Sequence, residues 1–453
     1  MAGGLIVLIA LFSLRRPLHP VVAAGSENGL GPAERGKIDG LKRPGARSRR
    51  SGPAVRPAST AEEIVATKVS QFARDRRQIL YTLARRKQMD VPGDVERFFD
   101  AVERGHWEEI EASFKLLSGT APDSSRPPGV QELWSVILDT FGAAEQAHLL
   151  PAQKLLDYGH AVLDSLRPGM VYVGGTDPGR WVPELLNDTS DGERHIVITQ
   201  NGLADKSYQE YVDLLYGGQL ATFTEEESAR AFQDYVADAR KRLEHDQQFP
   251  DEPKQVRPGE TVSMVDGRAQ VSGQVAVMAI NEKLLQTLLE KNPSFEFALQ
   301  ESFPLKGTYP EAAPLGPIME LRAQDRQDNF PAEQAAQSVD YWRATTQRLL
   351  SDPEATTSPE TLKTYSHDVT AQANLLAAHN YTAEAEQAYR LSSQLCPGNP
   401  EPVRGIAEIL SLTGRPDEAR RLVENFGRTY PDQRAALEAL AAQWRIVGPP
   451  AAR

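Results

Sequence analysis

Residues Met170 to Pro183 read M-V-Y-V-G-G-T-D-P-G-R-W-V-P, and the order of residue types in this stretch decides the fold class. Met170 to Val173 is a short apolar run with Pro168-Gly169 before it and Gly174-Gly175 after it, the pattern of a buried strand bounded by turns. Asp177-Pro178 then supplies an N-cap acceptor and a first-turn proline whose fixed φ suits a helix start. Strand, polar turn and helix in that order predict an α/β unit.

A second such unit follows on the C-terminal side. His195 to Thr199 is a strand, Gln200 to Asp205 a loop and Ser207 to Tyr216 an amphipathic helix. Two strand-helix units in a row argue for parallel pairing through right-handed crossovers. A helix over 225 to 244 comes next, then Thr261 to Val265 and Arg268 to Ser272 around Asp266-Gly267, a hairpin signal. After a helix from Val275 to Lys291, Phe295 to Leu299 and Ile318 to Leu321 read as the last strands.

On the N-terminal side the period is helical. Ser59 and Thr60 each have an acid three residues on, at Glu62 and Glu63, and Ile64, Val65, Val69, Phe72, Ile79, Leu80 and Leu83 then mark one apolar face. Phe98, Phe99 and Val102 precede the turn Gly105-His106-Trp107, after which Ile110, Phe114 and Leu117 form a second stripe, so the pattern is a helical hairpin. Helices around Gln131 to Phe141 and Lys154 to Leu166 lead into the α/β unit.

At the other end the chain repeats itself. Ala385 and Ala419 are 34 residues apart, as are Pro397 and Pro431, which is the tetratricopeptide period. Ala373, Leu376, Ala385, Tyr389, Ser392 and Pro397 fall on the packing and turn positions of one repeat, and Ala407, Leu410, Gly414, Ala419, Phe426 and Pro431 on those of the next. Small residues are needed where the two helices of a hairpin approach closely. Leu437, Leu440, Ala441 and Trp444 continue the stripe into a terminal capping helix. The fold class expected is therefore α/β plus all-α: a Rossmann-like parallel-sheet domain with an added β-hairpin over 166–322, preceded by a helical segment over 59–165. A helical bridge over 323–360, carrying Val339, Trp342 and Leu349, leads to a short tetratricopeptide α-solenoid over 361–453.

Residues 1–58 have no core-forming periodicity. Leu5 to Leu14 is an apolar run long enough for a signal-peptide core and too short to span a bilayer, so 1–24 reads as a signal peptide or membrane anchor and the protein as exported to, or anchored in, the cell envelope. Residues 25–58 are rich in Gly, Pro, Ala, Ser and Arg and read as a disordered basic linker with an N-terminal membrane contact. The first 60 residues hold ten Lys/Arg against three acids, a net of +7, so the other residues carry −19 of the total charge of −12. An acidic body repels phosphate backbones, and no nucleic-acid partner is expected.

If the strands are parallel, Thr176, Asp177 and Arg180 share one sheet edge with Thr199, Gln200, Asn201 and Asp205, and the set extends to Gln300, Glu301 and Ser302 if the later strand joins them. Ligands of open α/β sheets bind beyond such edges, and backbone N–H groups with Arg180 nearby would suit a phosphate or carboxylate. The alternative is that Asp177 only caps its helix and Arg180 pairs with an acid. G-G-T-D-P-G-R is neither the P-loop nor the dinucleotide fingerprint, and no cofactor is expected. Cys396 is the single cysteine, which excludes an internal disulfide and a thiolate cluster. His106, His148 and His160 lack a partner at metal-ligand spacing, so no metal is expected either.

The segments V-Y-V-G-G-T-D-P-G-R-W-V-P, I-T-Q-N-G-L-A-D, V-S-G-Q-V-A-V-M-A-I-N and E-S-F-P-L resemble an uncharacterised group of bacterial exported proteins in which this domain precedes tetratricopeptide repeats. They are more distantly similar to the soluble part of a bacterial membrane family of unknown function related to protein O-mannosyltransferases. The resemblance covers roughly Val95 to Leu321 and implies architecture; it supplies no activity. Two functions are expected on these grounds. One is a non-enzymatic cell-envelope scaffold whose repeats hold a protein partner and whose α/β module binds a small anionic or sugar ligand. The other is a glycosyltransferase-related enzyme, or its remnant, acting on a sugar or phosphorylated substrate.

Overall fold

The apolar run that opens the α/β unit is β1 (Val171–Gly174), buried at every position, and it lies between two parallel partners. The structure is a computed structural model that describes residues 59–119, 126–127, 129–265, 267–303, 307–321 and 330–436. Outside these lie the apolar run at 5–14, the basic linker, Asp266 of the hairpin turn, part of the bridge and the stripe from Leu437 to Trp444. The described residues from Ala61 on pack as one unit.

Five helices precede the sheet: α1 (Ala61–Arg86), α2 (Gly93–Arg104), α3 (Trp107–Ser118), α4 (Trp134–Leu149) and α5 (Ala152–Leu163). The helix α1 starts immediately after Thr60, where the paired hydroxyls and acids placed it. The turn at Gly105 has φ of 74°, a left-handed cap that glycine adopts without strain, and it sets α2 and α3 as the expected hairpin. After β1 come α6 (Asp177–Asp188), β2 (Ile196–Thr199), α7 (Lys206–Tyr216) and α8 (Glu225–Gln248). The hairpin β3 (Thr261–Val265) and β4 (Arg268–Ser272), the helix α9 (Gln274–Lys291) and β5 (Phe297–Leu299) follow, then β6 (Ala312–Leu315) and β7 (Ile318–Leu321).

The main sheet has the order β2-β1-β5-β7-β6. Parallel pairing holds for β2, β1 and β5 and ends there, because β7 runs antiparallel to both β5 and β6. The sheet is mixed, not parallel throughout as expected. Strand β6 is not among the strands expected from the sequence; its Pro314 is tolerated because β6 is the edge strand and needs no donor on its open side. The carbonyl of Pro314 accepts from Gln334 Nε2 at 2.9 Å, which covers that edge. The pair β3-β4 has the expected register, Val262 opposite Val271, but forms a sheet of its own and does not extend the main one.

The C-terminal region is all helical: α10 (Ala332–Ser351), α11 (Pro353–Thr356), α12 (Pro359–Ala378), α13 (Thr382–Leu395), α14 (Pro400–Leu412) and α15 (Pro416–Thr429). The bounds of α15 repeat those of α13 at an offset of 34 residues, and the end of α14 repeats that of α12 at the same offset. Ala373, Leu376, Ala385, Tyr389 and Ser392 are buried in the first hairpin and Ala407, Leu410, Ala419 and Phe426 in the second. The helix α6 packs on β1 and β2, whereas α10 and α12 pack on the antiparallel side of the sheet, against β6 and β7.

Candidate functional site

The order β2-β1-β5 places the end of β1 where the chain's connections leave in opposite directions, the crevice position for a ligand in an open sheet. Register aligns Gly174 with Thr199, and Gln300 follows directly on Leu299, the partner of Val173. Three strand ends therefore meet at this point.

Each end is tied to the others by amide side chains. Gln300 Oε1 accepts from the backbone N–H of Gly175 at 3.0 Å and of Thr176 at 2.8 Å, while its Nε2 donates to Thr176 Oγ1 at 2.9 Å. Gln200 Nε2 donates to the Gln300 carbonyl at 3.0 Å, and Asn201 Nδ2 to the Gly175 carbonyl at 2.6 Å and to Ser302 Oγ at 3.2 Å. Gly175 and Gly179 are required for this closeness: a Cβ on Gly175 would lie 2.1 Å from the Gln300 carbonyl, and one on Gly179 2.2 Å from Gln300 Oε1. Thr176, Gln200 and Asn201 are thus brought together. Gln200 Oε1 is buried with no hydrogen-bond partner.

The cap of α6 is Thr176, whose Oγ1 accepts from Gly179 N–H at 3.1 Å; Asp177, expected to cap, is exposed in the first helical turn ahead of Pro178. A threonine with extended φ and ψ has its hydroxyl one residue nearer the strand, where the N3 amide points. Asp205 caps α7 by accepting from Ser207 N–H at 2.8 Å, and its side chain has no hydrogen bond to the three strand ends among the described residues.

Arg180 turns away as well. It is 9% exposed, pairs with Asp139 of α4, and its guanidinium lies 5.2 Å from the Trp181 ring centroid and 5.4 Å from that of Tyr208. The same space holds Arg76 of α1, which pairs with Glu184 at 2.7 Å and Asp188 at 2.6 Å. Two guanidiniums thus serve three carboxylates, of which Asp139 and Glu184 are buried and Asp188 is half-buried. Burial, with Asp139 and Asp188 nearby, pushes Glu184 above the usual carboxylate range against the pull of Arg76 and Arg180. The cluster joins α1, α4 and α6.

Glu301, 4% exposed, also leaves the edge, because its Oε1 accepts from Asn374 Nδ2 of α12 at 3.3 Å. Asn374 Oδ1 accepts from the Tyr389 hydroxyl at 2.6 Å. Beside it Asp368 of α12 accepts from Gln300 Nε2 at 2.6 Å. Burial raises Asp368 to about 7, opposed by Gln300 and by the Tyr158 hydroxyl. Neither Asp368 nor Asn374 belongs to the sequence-derived set. Their signal was present as polar residues in the middle of a helix otherwise read for its apolar packing positions.

Among the described residues no group of His, Cys, Asp and Glu is placed to hold a metal ion. The chain matches no family model, no curated protein and no solved structure.

Proposed function

We propose that the protein is a non-catalytic interaction protein of the cell envelope, in which C-terminal helical hairpins similar to tetratricopeptide repeats hold a protein partner and a Rossmann-like sheet domain supports them. The observation that carries this reading is that the amides at the start of α6 already hold the Gln300 side chain, which α12 secures through Asp368. A catalytic edge needs groups open to substrate, and here they are engaged with one another. The second hairpin, α14 with α15, packs chiefly on α13 and leaves Leu412 75% exposed at the end of α14. A single exposed leucine is not a docking patch by itself; it is the position at which contact of a partner with the second hairpin is probed. Export or anchoring by the 5–14 run belongs to the same reading; no helix among the described residues is long and apolar enough to cross a membrane.

The experiment compares full-length protein with Leu412→Asp, purified from envelope fractions under identical conditions. A defined partner present with wild type and lost with Leu412→Asp, at unchanged melting temperature, is the expected result. Partner recovery that is indifferent to Leu412 and to deletion of α14 and α15 would end the reading. Recovery of the protein from cytosol alone would end its envelope part.

A second reading, a glycosyltransferase-related enzyme or remnant acting on a sugar or phosphorylated substrate, draws on the unpartnered Gln200 Oε1 beside three converging strand ends. Saturable stabilisation by a sugar phosphate or nucleotide at millimolar concentration, lost in Asn201→Ala, would favour it.

A further inference from the structure

The hairpin β3-β4 is a sheet of two strands, and no other strand among the described residues joins it. Its register runs without a break from Thr261–Ser272 to Val265–Arg268. Residues opposite each other in an antiparallel pair share a face. One face carries Val262, Val271, Met264 and Ala269, and its two valines pack on the core, with β4 against α8 and α9 and β3 against α8. The other face, Thr261, Ser263, Val265, Arg268, Gln270 and Ser272, is exposed throughout. Met264 and Val265 of β3 are 41% and 43% exposed, although both are apolar.

The free edge of β3 presents a definite set of backbone groups. Two residues separate Val265 from Arg268, so this pair closes the hairpin and exchanges both of its hydrogen bonds. Alternation makes Ser263–Gln270 and Thr261–Ser272 the other bonded pairs and turns the N–H and C=O of Val262 and Met264 outward. No turn or loop hydrogen bond among the described residues reaches those groups. The edge also lacks the features that keep edge strands apart, since T-V-S-M-V holds no charge, no proline and no bulge.

We propose that β3 pairs with β3 of a second copy, antiparallel about a two-fold axis at Ser263, to make one continuous sheet in the order β4-β3-β3-β4. The occupant is a second copy because the edge complements itself. In this register the outward groups of Val262 meet those of Met264 in the second copy and the reverse, so both free residues of each strand are used. Val262 then packs beside Met264 on one face and Thr261 beside Val265 on the other, which covers the two exposed apolar side chains. A shift of one residue sets outward groups against inward ones. A shift of two carries a bonded pair beyond the strand, either to position 266 or to Glu260, which Tyr235 and Arg242 already hold. One added strand pair is a small contact, so the dimer belongs to the weak class that forms as concentration rises.

Sedimentation velocity of the full chain over a concentration series tests this. Wild type should shift from monomer to dimer as concentration rises. Ser263 meets its own copy across the axis, so Ser263→Lys and Ser263→Glu each bring like charges together and should stay monomeric where wild type is dimeric. An equimolar mixture of the two variants brings opposite charges together and should regain the dimer, a recovery that contact through any other surface does not give. A monomeric wild type, a dimer that survives either substitution, or a mixture that stays monomeric overturns the proposal. Should the Ser263 variants not fold, Met264→Pro decides, because it removes an N–H that the hairpin itself does not use. Loss of the dimer in Met264→Pro upholds the pairing, and an unchanged dimer overturns it.

Discussion

Two buried acidic regions meet at α6 and are solved in opposite ways. Behind the helix, Asp139, Glu184 and Asp188 are held by Arg76 and Arg180. In front of it, Asp368 and Glu301 are held by the amides of Gln300 and Asn374. Guanidiniums stay charged at every physiological pH, but burial raises Glu184 beside them, so the rear cluster pairs fixed cations with carboxyls of which one is held above its usual range. An amide offers a neutral donor, so Asp368 is held by a hydrogen bond with no cation beside it among the described residues. The difference teaches that an arginine next to a glycine-rich turn is no evidence of an anion site until its direction is known.

The largest expected effect breaks the rear region. Arg180→Gln leaves Asp139 buried without its cation and should lose about 3–5 kcal/mol of stability, measured by denaturant unfolding. A change under 1 kcal/mol would show that Arg180 is free to serve a ligand instead. In the front region Gln300→Ala should cost about 1–3 kcal/mol, because two backbone donors and a carboxyl oxygen lose their partner inside the protein. If thermal unfolding shows Gln300→Ala to be as damaging as Arg180→Gln, the two regions do not differ in kind.

The smallest effect separates Thr176 from Asp177 on the turn between them. Thr176→Ala removes the cap and should lose about 0.5–2 kcal/mol, with Thr176→Ser restoring most of it. Asp177→Ala should lose only about 0.3–1 kcal/mol, the favourable placement of a negative charge in the first turn. Equal losses from the two alanine variants would return the cap to Asp177.

Much of this was legible because it is local. The start of α1 after Thr60, the left-handed turn at Gly105 and the strands around Val171 and Val197 follow from caps, glycine conformation and apolar period within a few residues. The 34-residue offset between Ala385 and Ala419 reappears as the offset between α13 and α15. Strand β6 was not legible: A-A-P-L has little β-propensity, and its pairing with β7 is what makes it a strand.

The site shows the same division. The chain alone gave the three strand ends rich in Gly, Thr, Gln and Asn and the condition under which they share an edge; the parallel pairing of β1 with β2 and β5 met it. The chain left open which way Arg180 points, because Asp139 is 41 residues away and only the packing of α4 on α6 brings it close. Nor could it show that Gln300 fills the α6 amides or that Asp368, 68 residues later, holds it there. Backbone periodicity is set by neighbours in sequence and survives in the sequence. The partner of a buried charge is set by what folding brings within about 3 Å, and that is decided by tertiary structure alone.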